Sequence, residues 1–318
     1  MSTICGVREP PTLLRLAWNA TLATREHLVT FSHGHPPFRM LLRPSNYDAD
    51  NWRRLLLEKE YVYHVALLRT IVSHFVPPEE CVALDVGANS GYVSLAAASL
   101  GCTVVAAEAN PSTARNARRS FALNGAGKRI TLHNIAISKM DGKVSFAVRK
   151  GGGSIYDRIL TEEEAAAGLP SGFHLVRVPS APLHRALNQL SSPSIVHVAK
   201  LDCEGCEATA IETMAPLLHR GAVKVILSEW ITSRIASVSG NSSLAAALAT
   251  LERAGYRSLS WSGHAQPLAT LADPRMEVGD LFLVHGSIAA AFAAKMQQPR
   301  DGMLAQWEAL KRCRDRPH

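Results

Sequence analysis

Several charged residues in this 318-residue chain stand at the ends of apolar runs. Asp85 closes Cys81-Val82-Ala83-Leu84, and Gly87-Ala88-Asn89-Ser90-Gly91 follows at once. Glu108 closes the next run, Lys200-Leu201-Asp202-Cys203-Glu204-Gly205-Cys206-Glu207 ends a later one, and Glu229 ends the one after that. Charge is rarely set at the end of a buried strand without a partner or a task. Gly87 lets a backbone approach a ligand with no Cβ in the way. A helical pattern starts beside it at Tyr92. Its free N–H groups and positive dipole end would face whatever sits at the turn.

The first group selects a ligand class. A dinucleotide site needs G-x-G-x-x-G so that a pyrophosphate can rest on the helix start. This chain has G-x-x-x-G, with a carboxylate two residues earlier. That carboxylate would repel a pyrophosphate. It suits a ligand with a cationic end, such as the ammonium and sulfonium of S-adenosylmethionine. Glu108 is placed to accept hydrogen bonds from ribose hydroxyls, a need that NAD and S-adenosylmethionine share. Asp85 and the missing middle glycine therefore decide between them. The candidate donor-binding residues are Asp85, Gly87, Ala88, Asn89, Gly91 and Glu108, with Asn134 and Ala136 on the run expected to pass under the adenine. Asn134 reads equally well as a turn former.

The second group selects a chemistry. A hydroxyl that receives a methyl group must lose a proton, and a carboxylate within reach can take it. Asp202 is the candidate base or acceptor-orienting group, and Glu204 is second. Lys200 would tune their charge or hold an anionic substrate, and Glu229 reads as a substrate contact at the same crevice. The competing account is a structural ion-pair network. Cys203 and Cys206 form a CxxC pair, but no second pair or histidine cluster accompanies them, so no metal is expected.

These residues meet only if the elements between them form a sheet. The runs 81–86, 103–107, 130–137, 195–202 and 223–227 alternate with helical patterns at 90–100, from Pro111 to Gly125, at 183–190, 207–219 and 244–253. Such alternation predicts an α/β fold, a doubly wound and mostly parallel sheet covered on both faces. Two antiparallel pairings are expected, 130–137 with 144–148 and 256–261 with 281–285. A hairpin is expected over 27–42, and a long helix from Asp50 carrying Trp52, Leu55, Leu56, Leu67 and Ile71 on one face. The domain plan is an arm and hairpin over 1–50, a Rossmann-like domain over 51–286 and a helical tail over 287–318. The Gly151-Gly152-Gly153-Ser154 loop and the hairpin would shape the acceptor pocket.

The motif Val82-Ala83-Leu84-Asp85-Val86-Gly87-Ala88-Asn89-Ser90-Gly91-Tyr92 resembles the first motif of the FkbM-type methyltransferases. Ile135-Ala136-Ile137-Ser138 with Asp141-Gly142 is similar to the hairpin that follows their third strand. Val198-Ala199-Lys200-Leu201-Asp202-Cys203-Glu204-Gly205-Cys206-Glu207 resembles their most diagnostic run. The likeness spans about residues 50–285. It implies a class I Rossmann-like fold, S-adenosylmethionine as donor and O-methylation as the usual outcome. Two positions depart from the pattern. His184-Arg185 follows Leu183 where the family carries an acid, and Cys203 and Cys206 stand where it has small apolar residues.

Composition bounds the rest. An apolar share of 47% with 19% charged residues describes a globular chain with a full core. The net charge of +7 is scattered, and its densest stretch, Lys311 to Arg316, has no interleaved aromatics. No nucleic-acid partner is therefore expected. No apolar run is long enough to span a bilayer. The six cysteines, several of them in apolar runs, are expected as unpaired thiols in a reducing compartment, hence a cytoplasmic protein unless the N-terminal arm targets an organelle. The partner is a small-molecule acceptor that sequence does not identify, nor does it give an oligomeric state. A non-catalytic binding or assembly protein that kept the fold is the rival from another class, and a dehydrogenase is the third reading.

Overall fold

The computed structural model describes residues 3–4, 7–8, 27–31, 38–42, 60–77, 80–150, 157–169, 171–187, 195–275 and 277–297. The strands are β1 (Thr3–Ile4), β2 (Val7–Arg8), β3 (His27–Phe31), β4 (Phe38–Leu42), β5 (Val82–Val86), β6 (Thr103–Ala107), β7 (Ile130–His133) and β8 (Ala136–Ile137). They continue with β9 (Gly142–Arg149), β10 (Arg158–Ile159), β11 (Phe173–Ala181), β12 (Val196–Leu201), β13 (Val223–Ile231), β14 (Tyr256–Leu259), β15 (Ala265–Gln266) and β16 (Glu277–His285). The helices are α1 (Glu60–Phe75), α2 (Tyr92–Ser99), α3 (Pro111–Leu123), α4 (Glu162–Ala167) and α5 (Leu183–Leu187). After them come α6 (Glu207–Thr213), α7 (Ala215–His219), α8 (Thr232–Ser239), α9 (Asn241–Arg253) and α10 (Gly286–Gln297).

The main sheet runs β15-β14-β16-β13-β12-β5-β6-β7. Its β13-β12-β5-β6-β7 stretch is parallel, and β16 lies antiparallel between β13 and β14. This is the expected doubly wound α/β sheet with its antiparallel C-terminal pair. The period of two along each strand divides the core. Ala83, Val104, Val198 and Leu227 join Leu67 and Ile71 of α1, Leu95 of α2 and Phe292 of α10 on one face. Leu84, Val105, Ala199 and Ile226 join Leu183, Ile211 and Leu251 on the other. Sequence order β7-β6-β5 on one side and β12-β13 on the other puts the reversal point between β5 and β12, where ligands bind in sheets of this kind.

Residues 130–137, expected as one strand hairpinned to 144–148, instead divide at Asn134. β7 completes the main sheet, while β8 joins a second sheet of order β10-β9-β11-β8. The partners of β9 are β10 and β11. The Asn134 side chain turns the chain here by donating to the carbonyls of Glu108 and Ala109, at 2.8 and 3.0 Å. The helix expected over 207–219 breaks at Met214, before Pro216, into α6 and α7.

The cysteines also differ from expectation. Cys81 is bonded to Cys102, and Cys203 to Cys206. The first pair precedes the adjacent parallel strands β5 and β6, which bring its Cα atoms to 4.4 Å across a sequence separation of 21. The second flanks the turn made by Gly205. Cys5, Cys313, the hairpin turn at 34–37, Asp50 with Trp52, Leu55 and Leu56, the glycine loop 151–154 and the basic tail lie outside the described residues. Among the described residues no helix is long and apolar enough to cross a membrane.

Candidate active site

The glycine turn after β5 is closed by its neighbours. Gly87 and Ala88 both donate their N–H groups to the Ala107 carbonyl, at 2.9 and 3.0 Å, and Gly91 donates to Ala88. Gly87 has φ +76°, and a Cβ built there would overlap the carbonyl oxygen of Asp202. The glycine is thus required by the backbone at the end of β12, a closer neighbour than the ligand that the sequence suggested. The N–H of Asp202 in turn donates to Val86 at 3.1 Å. The two charged strand ends that the sequence set apart are one backbone junction.

Glu108 is built into that junction. One carboxylate oxygen accepts from the Asn89 N–H and the other from the Asn110 N–H, both at 2.8 Å. Burial pushes its pKa up to about 7, against the pull of those two bonds. Asn110 caps α3 by accepting from Ser112 and Thr113, and its amide donates to Asp157 at 2.7 Å. Asp157 is itself buried, and burial raises its pKa. The cap was legible in Asn110-Pro111-Ser112, a polar residue ahead of a proline that can open a helix. Nothing near Asp157 in sequence marks it as a neighbour of Glu108.

Asp85 lies beneath the turn rather than open to the crevice. It is 1% exposed. One carboxylate oxygen accepts from Ser94 of α2 at 2.5 Å, and the other has no hydrogen-bond partner. Burial raises its pKa, and Lys200 opposes the rise. Ala136 is 2% exposed in the core of the second sheet with Phe146, Val148 and Val178. Asn134 has both its described bonds to backbone, as a turn former would.

Lys200 joins the two halves. It is paired in register with Asp85 on the neighbouring strand, so both side chains leave the same face of the sheet. Its ammonium lies 2.9 Å from Asp202 Oδ2 and 3.9 Å from Asp85 Oδ1, and donates to the Gly87 carbonyl at 3.4 Å. Asp202 is the more open carboxylate, with 36% of its side chain exposed against 2% for Asp85.

The extended strand stops at Leu201, so Glu204 does not continue the Lys200–Asp202 face. Its φ of +59° is rare for a side-chain-bearing residue, and such backbone is concentrated at functional sites. Glu204 pairs with Arg234 of α8, whose same nitrogen is 3.3 Å from Glu229. Single oxygens of Asp202, Glu204 and Glu229 all lie within 4.8 Å of one another. The cation serving two of these three is the Arg234 guanidinium. Burial and then Asp202 push Glu204 up to about 9 and Glu229 up to about 7, with Arg234 opposing both. Glu207, 1% exposed, accepts from the Cys203 N–H at 2.8 Å and is pushed up to about 7 by burial. Arg234 was missed in the sequence because it follows β13 in a stretch with no motif.

The residues at the turn fit the expected donor. Glu108 is held rigidly by two backbone bonds, and a carboxylate has capacity for further acceptance from hydroxyls. Ser90 Oγ is buried in the turn without a hydrogen-bond partner, a polar atom left for a ligand to satisfy.

A family model, "Methyltransferase FkbM domain", matches residues 85–258. Among solved structures, a human methyltransferase 10 domain containing protein is 13% identical with a TM-score of 0.35, over 71% of this chain and 81% of that one. The SAH-bound Podospora anserina methyltransferase PaMTH1 is 14% identical with a TM-score of 0.36, over 77% and 98%. The precorrin-6y C5,15-methyltransferase from Geobacter metallireducens GS-15 is 19% identical with a TM-score of 0.31, over 60% and 71%. No curated protein matches.

Proposed function

The chain belongs to the FkbM methyltransferase domain family and is an S-adenosylmethionine-dependent methyltransferase; we propose that its acceptor is the hydroxyl of a small molecule, sugar or lipid. The observation that carries this reading is the Lys200–Asp202 pair at 2.9 Å, set against the backbone of the donor turn. A carboxylate held there by a lysine suits deprotonation of a neutral hydroxyl, which needs a base at the moment of attack. The reading treats residues 51–286 as one catalytic domain.

When bound, the donor supplies a methyl group on a sulfonium, the electrophile of an in-line displacement. Glu108 would accept hydrogen bonds from the ribose hydroxyls of the bound donor. Gly87, Ala88, Asn89 and Gly91 shape the turn, and Asp85 acts on it from below through Lys200. Asp202 would accept the acceptor's hydroxyl proton as the acceptor oxygen takes the methyl group and the donor's carbon–sulfur bond breaks to leave a neutral thioether. Lys200 keeps Asp202 oriented and anchors it to the Gly87 carbonyl. Glu204 and Glu229 line the acceptor side. Orientation of this kind contributes about 7–11 kcal/mol in well-aligned model reactions.

The test is mass spectrometry of a cell extract incubated with the protein and trideuteromethyl donor. A labelled small molecule whose fragments place the label on oxygen is the expected result. Label on nitrogen or carbon removes the hydroxyl reading. Donor binding with no labelled product favours the binding-protein alternative.

A further inference from the structure

Helix α8 follows β13 directly and lies on the turn after β12. A Cβ at Gly205, where φ is +108°, would come within 2.7 Å of the Val238 side chain and 2.9 Å of the Arg234 carbonyl. Ser239 at the end of the helix donates to the Gly205 carbonyl at 2.7 Å and accepts from Thr209 of α6 at 3.1 Å. The helix therefore meets the turn through its backbone at one end and a serine at the other. Between them Arg234 reaches Glu204, the side chain carried by the positive-φ residue, and Glu229 at the end of the next strand.

Three carboxylates in one small volume repel, and their repulsion must be met by a cation or a proton. Lys200 serves Asp202. Neither Glu204 nor Glu229 has a lysine within bonding distance in the described residues, and both turn to Arg234. We propose that Arg234 is a positioning residue, which draws Glu204 and Glu229 together across two strand ends and holds them beside Asp202 on the acceptor side of the methyl-transfer site. The role rests on the methyltransferase reading and adds to it a part that no motif residue supplies. One guanidinium nitrogen meets both carboxylates, so the role rests on a single charge shared between them.

The groups facing this pair are known. Glu204 faces Asp202, Arg234, Glu229 and Glu207, and Glu229 faces Asp202, Arg234, Asp280 and Lys200. All but two of these are acids, so losing Arg234 leaves both glutamates less able to stay ionised.

The experiment uses full-length protein with 13C-labelled glutamate carboxyls, with Glu204 and Glu229 assigned from their Gln variants. Their titration midpoints are compared in wild type, Arg234→Gln and Arg234→Lys. In Arg234→Gln both midpoints should rise by about one pH unit or more. Arg234→Lys should return part of that shift for both glutamates, because one nitrogen serves the two. If Arg234→Gln does not fold, Arg234→Met keeps the aliphatic stem and takes its place. Unchanged midpoints without the arginine charge overturn the proposal, as does a lysine variant that titrates like the glutamine one. Calorimetric titration of wild type with S-adenosylmethionine runs beside it. Absence of donor binding there counts against the methyltransferase reading, whereas unmoved midpoints in a protein that binds donor count against Arg234 alone.

Discussion

The carbonyl oxygen of Asp202 occupies the space that a side chain on Gly87 would need. The proposed donor turn and the strand end that carries the proposed base are therefore fixed to each other by backbone. Gly87→Ala cannot be absorbed by a rotamer change, because the clash is with main chain and φ is +76°. It should cost about 3 kcal/mol or more, the sum of left-handed strain and displacement of the β12 end. Denaturant unfolding reads the loss directly. A cost under about 1 kcal/mol would mean that the two backbones do not touch as described.

With Glu108 in its proposed role at the ribose, donor binding should depend on pH. Its carboxyl is raised from 4.5 to about 7 on folding, mainly by burial. The folded protein holds a proton there that the unfolded chain has lost. The group's contribution to stability is thus full below about 4.5 and is lost as pH rises through about 7. Donor binding moves the opposite way, because ribose hydroxyls donate to the ionised form. Affinity for S-adenosylmethionine should rise by roughly up to ten-fold between pH 6 and 8. Glu108→Gln should remove that dependence and weaken binding by about 1.5–3 kcal/mol. Calorimetry at three pH values is sufficient.

The Cys81–Cys102 bond ties the starts of β5 and β6 and closes a loop with a sequence separation of 21. Loop-closure entropy puts its contribution at about 3 kcal/mol. Cys102→Ser should lower the unfolding free energy by that order, and a dithiol reductant should lower wild type by more than it lowers the variant, which keeps only Cys203–Cys206. The same reductant opens Cys203–Cys206 beside Glu204, so the Cys81→Ser, Cys102→Ser double variant isolates the effect of that second bond on turnover.

How much of this was legible depends on whether the cause was local. Asp85, the glycine turn and Glu108 could be read because strand, turn and helix signals lie within one short stretch. The main sheet followed from alternation alone. Asn134 was legible as a turn former but its partners were not, because the division of 130–137 rests on two carbonyls just past the end of β6. Ala136 was read with Asn134 as a donor residue, and its place in the second sheet depends on pairing with β11, which no local pattern carries. The Cys81–Cys102 bond depends on which strands are neighbours, and that pairing is not written in spacing. Arg234 sits outside every motif, and only the arrival of α8 over Gly205 brings it to Glu204.

The central claim is that Asp202 takes the acceptor's proton while the donor is held independently of it. Turnover of the labelled acceptor by wild type and by Asp202→Asn, each with donor affinity measured on the same sample, tests it most directly. The account predicts that Asn binds S-adenosylmethionine within about two-fold of wild type and transfers methyl roughly 10²–10⁴-fold more slowly. Undiminished transfer by Asp202→Asn would contradict it.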